Sequence, residues 1–236
     1  MLTPDAATLA HAEKLAGGEA EGLMQVLRTV PLEAFAKLLL AMPDARWPGL
    51  SARLPSMPPE DIQRSWTGGS GEVGMRPAVS FIQLVDSTTA RFTGRGLAGK
   101  SVLDFGCGYG RMLRLLPWFT DRLFGCDPWD ASLQLCEQHR VWGRLARSEY
   151  LPEDLPFGEE KFDIVLAFSV FTHTSARALR TALAAIRRRI APDGLLVATI
   201  RPAAYWEYIS KWGGTADPKA MEAAHQEKGF AFHPHP

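Results

Sequence analysis

Between Lys100 and Arg201 the sequence alternates short apolar segments with segments of helical periodicity. Strands are predicted for SVLDFG, RLFGCD, KFDIVLAFSV and GLLVATI, with GRLARSE as a weaker candidate, and helices for GRMLRLLPWF, ASLQLCEQHRV and SARALRTALAAIRRRI. Asp193-Gly194 is a turn signal between the last helix and the last strand. Because strands that alternate with helices are joined by right-handed crossovers, this order predicts an α/β fold with a doubly wound, mostly parallel sheet.

The residues before this alternation predict helices and carry no chemical motif. Helical spacing runs from Ala6 to about Ala16 and from Glu21 to Met42, with a break at Pro31. Prolines then accumulate, and the glycine-rich SWTGGSGEVGM predicts a mobile connection. Helical periodicity resumes in RPAVSFIQLVDSTTARF, where the proline stands at a position suited to a helix start.

These patterns divide the chain into two parts. Residues 1–75 form a helical N-terminal extension with a glycine- and proline-rich connection, and residues 76–236 form a second domain whose motifs occupy 100–201. The apolar face of LEAFAKLLLAM is expected to pack on that domain or on a second subunit, with a lid over a substrate as the alternative.

Composition and charge give no support to several classes of function. The 236 residues carry 26 basic and 26 acidic side chains, so no net charge draws the protein towards nucleic acid or anionic lipid. We find no apolar run of membrane-spanning length and no signal-peptide pattern. Three cysteines without CxxC spacing and six histidines without an HExxH pattern predict no metal site and a reduced, cytoplasmic setting.

Three glycines at alternate positions follow the first predicted strand. Gly106, Gly108 and Gly110 stand in DFGCGYG, directly after Asp104. Glycine lets a ligand approach the main chain closely, and ligands of open parallel sheets bind beyond the carboxyl ends of the strands. A second acid, Asp127 in LFGCDP, ends the next predicted strand, where a carboxylate can accept from both hydroxyls of a ribose. The alternatives are a tight strand-to-helix turn and a turn-forming aspartate before proline.

Two nucleotide ligands fit this pattern, and their charges separate them. Dinucleotide sites favour G-x-G-x-x-G, with a pyrophosphate beside the backbone. This chain has G-x-G-x-G instead, and Asp104 would repel a pyrophosphate at that place. The same carboxylate suits a ligand with an ammonium group, which favours S-adenosylmethionine over a nicotinamide dinucleotide.

Together these segments resemble the class I S-adenosylmethionine-dependent methyltransferases, within the small-molecule branch. VLDFGCGYGR resembles the first motif of that family, LFGCDP the second, LPFGEEKFDIVLAFSVFTHT the segment around the fourth strand, and IRRRIAPDGLLVATI the stretch before the fifth. The resemblance implies a Rossmann-like fold, S-adenosylmethionine as cofactor and S-adenosylhomocysteine as product. It also implies O- or N-methylation of a small-molecule acceptor such as a metabolite or a sugar.

The resemblance assigns cofactor contacts position by position. Asp104 and the glycines would hold the amino-acid end of the cofactor, Asp127 the ribose, Pro128 and Trp129 the adenine region, and the end of the fourth strand would line the methyl-transfer face. The family often has an aspartate after the third strand, where this chain has Ser148 and Glu149. The full set is Asp104, Phe105, Gly106, Cys107, Gly108, Asp127, Pro128, Trp129, Ser148, Glu149, Phe168, Ser169 and Val170.

His173 in SVFTHT is the candidate general base for a hydroxyl acceptor, with helix capping or packing as the alternative. Tyr109, Arg111 and Trp66 are further candidates for contact with cofactor or substrate, or for packing alone.

After the fifth predicted strand the sequence departs from the family. YWEYISKW and DPKAMEAAHQEKG predict helices, so the sixth and seventh strands are expected to be missing or atypical, and the chain to be truncated or atypical there. The exposed sheet edge, or the N-terminal helices, would then favour a homo-oligomer. The alternatives to an active enzyme are a methyltransferase-like binding or scaffold protein without turnover and a nicotinamide-dependent oxidoreductase.

Overall fold

Five parallel strands form one sheet, and helices cover it on both faces. The computed structural model describes residues 4–18, 22–211 and 216–233, except for the side chains of residues 209 and 210. The strands are β1 (Val102–Phe105), β2 (Leu123–Asp127), β3 (Arg144–Arg147), β4 (Phe162–Ala167) and β5 (Ile190–Ala198). The helices are α1 (Ala6–Ala16), α2 (Leu23–Leu27), α3 (Leu32–Ala41), α4 (Pro48–Arg53), α5 (Glu60–Thr67), α6 (Gly71–Thr93), α7 (Arg111–Leu115), α8 (Asp130–Gln138), α9 (Ala176–Arg189), α10 (Tyr205–Ser210) and α11 (Pro218–Lys228).

The strand order is β3-β2-β1-β4-β5, which confirms the doubly wound sheet. The chain builds outward from β1 to β3 on one side and then crosses back to add β4 and β5 on the other. The reversal lies between β1 and β4, whose register pairs Val102 with Ile164. Ligands of such sheets bind at the carboxyl ends of the strands on either side of this reversal.

Alternate residues of the central strands enter two separate cores. Val102, Ile164 and Leu166 belong to a core shared with the N-terminal helices. Leu103 and Val165 belong to a second core beneath α9. This is the period of two expected for a strand buried on both faces, and it explains why these segments read as continuous apolar runs.

The N-terminal helices share the first core with the sheet rather than forming a core of their own. Buried residues of α1 to α4 and of α6, among them Leu27, Phe35 and Ile82, join the cluster that contains Val102. Residues 75 and 76, where the sequence suggested a domain boundary, lie inside α6. The division into 1–75 and 76–236 therefore stays a prediction.

The glycine-rich segment before α6 forms a tight turn between two helices, where the sequence suggested a mobile connection. Gly68 ends α5 in the left-handed region (φ 74°), and α6 begins at Gly71, five residues earlier than predicted. The buried Gln63 side chain fixes the turn, because it donates to the Pro58 carbonyl and accepts from the Gly71 amide (2.7 and 3.1 Å). Pro77 lies inside α6 instead of at its start.

The edge beyond β4 also differs from the sequence prediction. The turn expected at Asp193-Gly194 is an irregularity within β5, whose pairing with β4 shifts between Phe162 and Ile164. The helices predicted after β5 are confirmed as α10 and α11, and no strand follows β5 in the described parts of residues 199–233. The described helices include none that is both long and apolar enough to cross a bilayer.

Candidate functional site

The loop after β1 contains three glycines in left-handed conformation, with φ values of 73°, 52° and 78° at Gly106, Gly108 and Gly110. A Cβ atom at Gly106 would lie 2.5 Å from Cγ2 of Val170, and one at Gly110 would lie 2.7 Å from Cγ1 of Val141. A Cβ atom at Gly108 would meet nothing within 4 Å. The first and third glycines are therefore needed for close packing within the protein, whereas Gly108 presents bare backbone to open space.

Asp127 fixes this loop from the end of β2. Its Oδ2 accepts from the Gly108 amide at 2.9 Å, and its Oδ1 accepts from the Trp129 amide at 3.0 Å. Each carboxylate oxygen has further lone-pair capacity, so both can still accept from a ribose diol. The interaction places Asp127 beside Gly108, which brings together the two features that the sequence singled out separately.

Asp104 is a buried carboxyl at the end of β1, with 2% of its surface exposed. Its Oδ2 has no hydrogen-bond partner in the described part of the chain. Burial, reinforced by the negative charge of Asp127, raises the pKa of Asp104 to about 7, while Arg111 acts in the opposite direction. A buried acceptor without a partner is costly in a folded protein unless a ligand satisfies it.

Arg111 lies between this carboxyl and helix α6. Its Nη1 donates to the Gly74 carbonyl at 2.8 Å, and its guanidinium carbon lies 5.2 Å from the centre of the Phe168 ring. Burial lowers the pKa of Arg111, and the charges of Tyr109 and Asp104 partly offset that effect. The sequence named Arg111 only as a candidate contact; the structure places it against the end of β4.

Three aromatic side chains meet beside the glycine loop. The Trp66 ring of α5 lies 5.9 Å from that of Trp129, edge to face, and 6.3 Å from that of Tyr109. Tyr109 is buried, whereas Trp129 is 53% exposed. Trp66 thus extends the region predicted for adenine with a residue from the N-terminal extension.

A buried arginine ties the loop to the N-terminal extension. Arg114 donates from Nε and Nη2 to the Ser56 carbonyl (3.0 and 2.7 Å) and from Nη1 to the Tyr109 carbonyl. Burial lowers the pKa of Arg114 to about 10. His139 reinforces the contact, because its Nδ1 lies 2.8 Å from the Ser56 Oγ atom. No sequence pattern identified this connection, since its partners are main-chain carbonyls far away in the chain.

The end of β4 faces the glycine loop. Phe168 packs against Phe81 of α6, with 4.7 Å between ring centres. Ser169 adopts a left-handed conformation (φ 61°), and its amide donates to Oγ1 of Thr199 at 2.7 Å. Val170 then lies against Gly106, so the segment closes the reversal point between β1 and β4.

His173 is exposed and lies beside Arg201, three residues after the end of β5. Its Nε2 is 3.1 Å from Nη2 of Arg201, whose guanidinium also stacks on the Tyr205 ring at 4.1 Å. Because a guanidinium only donates, Nε2 is the unprotonated nitrogen in this arrangement. A proton taken up at Nε2 would therefore have to replace the Arg201 contact.

The remaining predicted residues lie around the same loop with different exposures. The Ser148 amide donates to the Asp127 carbonyl at 3.1 Å, and Ser148 is buried, whereas Glu149 is exposed. The Phe105 side chain packs against Phe171 in the second core, with 6.2 Å between ring centres, so Phe105 offers the site its main chain. Pro128 is half-buried next to Trp129.

The three cysteines are free and buried, consistent with their predicted role in packing. Cys136 donates from Sγ to the Gly108 carbonyl at 3.3 Å. A hydrogen bond with Cys136, together with burial, raises the pKa of the Cys107 thiol. No group of three His, Cys, Asp or Glu side chains within the described ranges is arranged to hold a metal ion.

A cavity of about 570 Å³ lies elsewhere, between α8 and β3. Its walls include none of the glycine-loop residues; they are Asp130, Leu133, Gln134, Glu137, Arg140, Val141, Gly143 and Leu145. The site is therefore defined by the loop and the strand ends rather than by this cavity.

The residues present fit S-adenosylmethionine. The partnerless Oδ2 of Asp104 suits a ligand ammonium, the open space above Gly108 admits a ligand against the main chain, and Asp127 suits a ribose diol. A pyrophosphate at the same place would meet the charges of both aspartates.

Similarity to known proteins agrees with this geometry. A family model described as "Methyltransferase domain" matches residues 103–198. A ubiquinone biosynthesis O-methyltransferase of Methylobacterium sp. (strain 4-46) is 33% identical over 107 residues, which cover 43% of this chain and 41% of that protein. A tRNA U34 carboxymethyltransferase of Pseudomonas fluorescens (strain SBW25) is 40% identical over 84 residues, covering 33% of this chain and 26% of the relative. The chain thus spans less than half the length of these curated relatives.

Among solved structures, the plantazolicin methyltransferase BpumL, in complex with a pentazolic desmethylPZN analog and SAH, superposes with a TM-score of 0.51 at 14% identity. The superposition covers 86% of this chain and 70% of BpumL, and at this identity it concerns the fold alone. Residues 103–198 therefore match a methyltransferase domain in sequence, and the superposition shows that the chain has the same Rossmann-like α/β fold.

Proposed function

We propose that the protein transfers a methyl group from S-adenosylmethionine to a small-molecule acceptor, by O- or N-methylation. The observation that carries this proposal is the open space beside the Cα atom of Gly108, which lies between two acids, the buried Asp104 and the loop-fixing Asp127. That combination supports a cofactor with an ammonium at one end and a ribose diol in the middle, and it disfavours a pyrophosphate.

When bound, the cofactor would supply an electrophilic methyl group on a sulfonium, and an in-line displacement of the sulfur would pass that methyl group to a lone pair of the acceptor. The protein's own residues would position the two reactants and exclude water from the site. Asp104 would hold the ammonium, Asp127 the ribose, and Phe168 and Val170 would keep water from the methyl-transfer face. Correct orientation of the two reactants is the main contribution that a protein makes to such a displacement.

A hydroxyl acceptor also has to lose a proton. His173 is the residue that we propose for this step, because a hydrogen bond donated by Arg201 requires an unprotonated Nε2. In this proposal the acceptor hydroxyl takes the place of the Arg201 contact at Nε2. His173→Gln should then lower kcat for a hydroxyl acceptor and leave the affinity for S-adenosylhomocysteine unchanged.

The choice of a small-molecule acceptor is supported by charge and by one group of relatives. The chain has no net charge, and the described surface carries acids interspersed with its arginines, as in the exposed pairs of Arg64 with Glu60 and Arg76 with Glu72. The Methylobacterium relative is named for ubiquinone biosynthesis, which involves a small acceptor. The second candidate is an RNA acceptor, which is supported by two relatives named for tRNA U34.

Calorimetric titration tests the cofactor assignment. S-adenosylhomocysteine should bind with micromolar affinity, and NAD should not bind. Asp127→Asn should weaken the first ligand at least about tenfold, because one hydrogen-bonding charge is lost. Asp130→Asn is the matched control. Asp130 lies on α8, three residues after Asp127, and is exposed and paired with Arg147 of β3, so its loss should leave the affinity for S-adenosylhomocysteine unchanged. Binding of NAD, or of neither ligand, by the folded protein would contradict the proposal.

The acceptor class is tested by transfer of labelled methyl groups. Parallel reactions should contain a library of phenols, amines and amino sugars in one arm and bulk tRNA in the other. Label in small molecules supports the proposal, and label in tRNA alone would replace it with the second candidate. Cofactor binding without label in either arm would favour a binding protein without turnover.

A further inference from the structure

Arg111 is a largely buried cation without an acidic partner. It takes part in none of the ion pairs found among the described residues. Its contacts are the Gly74 carbonyl and the face of the Phe168 ring, so a single neutral acceptor faces a guanidinium that has five N–H donors. A buried guanidinium is usually paired with an anion, because burial removes its hydration.

Asp104 presents the complementary deficiency at the end of the neighbouring strand. Its carboxyl is buried, and Oδ2 has no donor. Neither group satisfies the other: their charges interact, yet they form no ion pair within the 4 Å that defines the described pairs. The Arg111 guanidinium and the Asp104 carboxyl therefore lie near each other without forming an ion pair, on the β1 side of the reversal point.

One chemical group carries both complementary charges, an α-amino acid, in which an ammonium and a carboxylate are attached to the same carbon. We infer that Arg111 and Asp104 together form a receptor for the zwitterionic end of the cofactor, with Arg111 binding the carboxylate and Asp104 the ammonium. The inference rests on the proposed function, because it assigns a further residue to the same cofactor.

The position of Arg111 explains how its guanidinium is held ready. The Gly74 carbonyl from α6 and the Phe168 ring from the end of β4 hold it on two sides. A guanidinium held in this way loses little conformational entropy when a carboxylate binds. Helix α6 thereby contributes to cofactor binding through a main-chain carbonyl, although it lies outside residues 103–198.

A carboxylate at Arg111 could also come from an acidic acceptor, and ligand analogues distinguish the two sources. S-adenosylhomocysteine should be titrated beside its decarboxylated analogue, which keeps the ammonium, and beside the analogue that lacks the amino group but keeps the carboxylate. Arg111→Gln should weaken S-adenosylhomocysteine and the desamino analogue about tenfold or more. It should change the decarboxylated analogue less than about twofold. Asp104→Asn should show the reverse preference between the two analogues.

Each other outcome overturns the inference in a recognisable way. Equal weakening of all ligands by Arg111→Gln would mean that Arg111 only supports the loop. Unchanged affinity for all ligands, with a raised KM for an acidic acceptor, would assign the guanidinium to the acceptor. If the wild-type protein binds none of the ligands, the proposed function itself fails, and a thermal unfolding curve of each variant confirms that a folded protein was titrated.

Discussion

Replacing Asp104 by asparagine should stabilise the ligand-free protein at neutral and alkaline pH while it weakens cofactor binding. Burial and the Asp127 charge raise the pKa of Asp104 from an ordinary value of 3.8 to about 7. The folded state therefore holds this proton more tightly than the unfolded state. The carboxyl's contribution to stability is complete below about pH 3.8 and is lost as the pH rises through about 7.

The magnitude follows from the difference between the two pKa values. A gap of about three pKa units corresponds to about 4 kcal/mol of lost stability once the carboxyl is ionised in both states. The asparagine amide adds a cost of its own, about 1–3 kcal/mol, if it also lacks a partner. That cost does not depend on pH, so the change with pH is the sharper observable. Between about pH 5 and about pH 8, the stability advantage of Asp104→Asn should grow by about 2.5 kcal/mol.

Urea unfolding of wild type and variant, followed by tryptophan fluorescence at the two pH values, measures this change. Asp154→Asn is the control. The hydrogen bond from Arg189 lowers the pKa of the exposed Asp154 to about 2, so the stability that this carboxylate contributes is complete above about pH 3.8, and the loss in the variant should be the same at both pH values. A stability difference between Asp104→Asn and wild type that is equal at both pH values would refute the assignment of a raised pKa to Asp104.

Two further predictions concern the loop and the thiols. Gly110→Ala should destabilise the protein by about 2 kcal/mol or more, because the new Cβ would meet Val141 at 2.7 Å in a left-handed backbone. Gly108→Ala should cost only about 1 kcal/mol of stability but should abolish cofactor binding. Unfolding and titration of both variants separate the two effects, and equal destabilisation by the two substitutions would contradict the reasoning. The three buried thiols should resist alkylation at about pH 8 in the native state and react fully in denaturant. Burial raises the pKa of Cys126 to about 12, and the pKa of Cys107 is also raised. Mass spectrometry counts the attached labels, and rapid labelling of the native protein would contradict the prediction by showing an open site.

The sequence predicted the parts of the molecule that depend on local pattern. Strands β1 to β4 and helix α9 follow from apolar runs and helical periodicity, and the glycine loop with Asp104 and Asp127 follows from residue types at the ends of strands. The sequence does not predict the start of α6 at Gly71, because the glycine-rich pattern there is typical of a mobile loop. In the structure, Gly69 and Gly74 approach so closely that a Cβ at Gly74 would lie 2.8 Å from the Gly69 carbonyl oxygen.

The missed parts of the site depend on contacts between distant segments. Trp66 reaches Trp129, Arg114 reaches the Ser56 carbonyl, and Arg201 reaches His173. None of these pairs has a spacing or a charge pattern that a sequence displays. In the second pair the hydrogen-bond acceptor is a main-chain carbonyl, which any residue can supply once the fold brings it to the right place.

The shared core of the N-terminal helices and the sheet limits how this domain can be divided or recombined. Phe35, Ile82 and Ile164 lie in one continuous cluster. A fragment cut at the borders of the family match would lose α6 and leave one face of β1 and β4 in water, so it should aggregate rather than fold. The same arrangement also determines which positions of a helix can vary in sequence. Inward positions of α6 are constrained by the sheet, whereas its outward positions, such as the exposed Val73 and Leu84, can change without disturbing the fold.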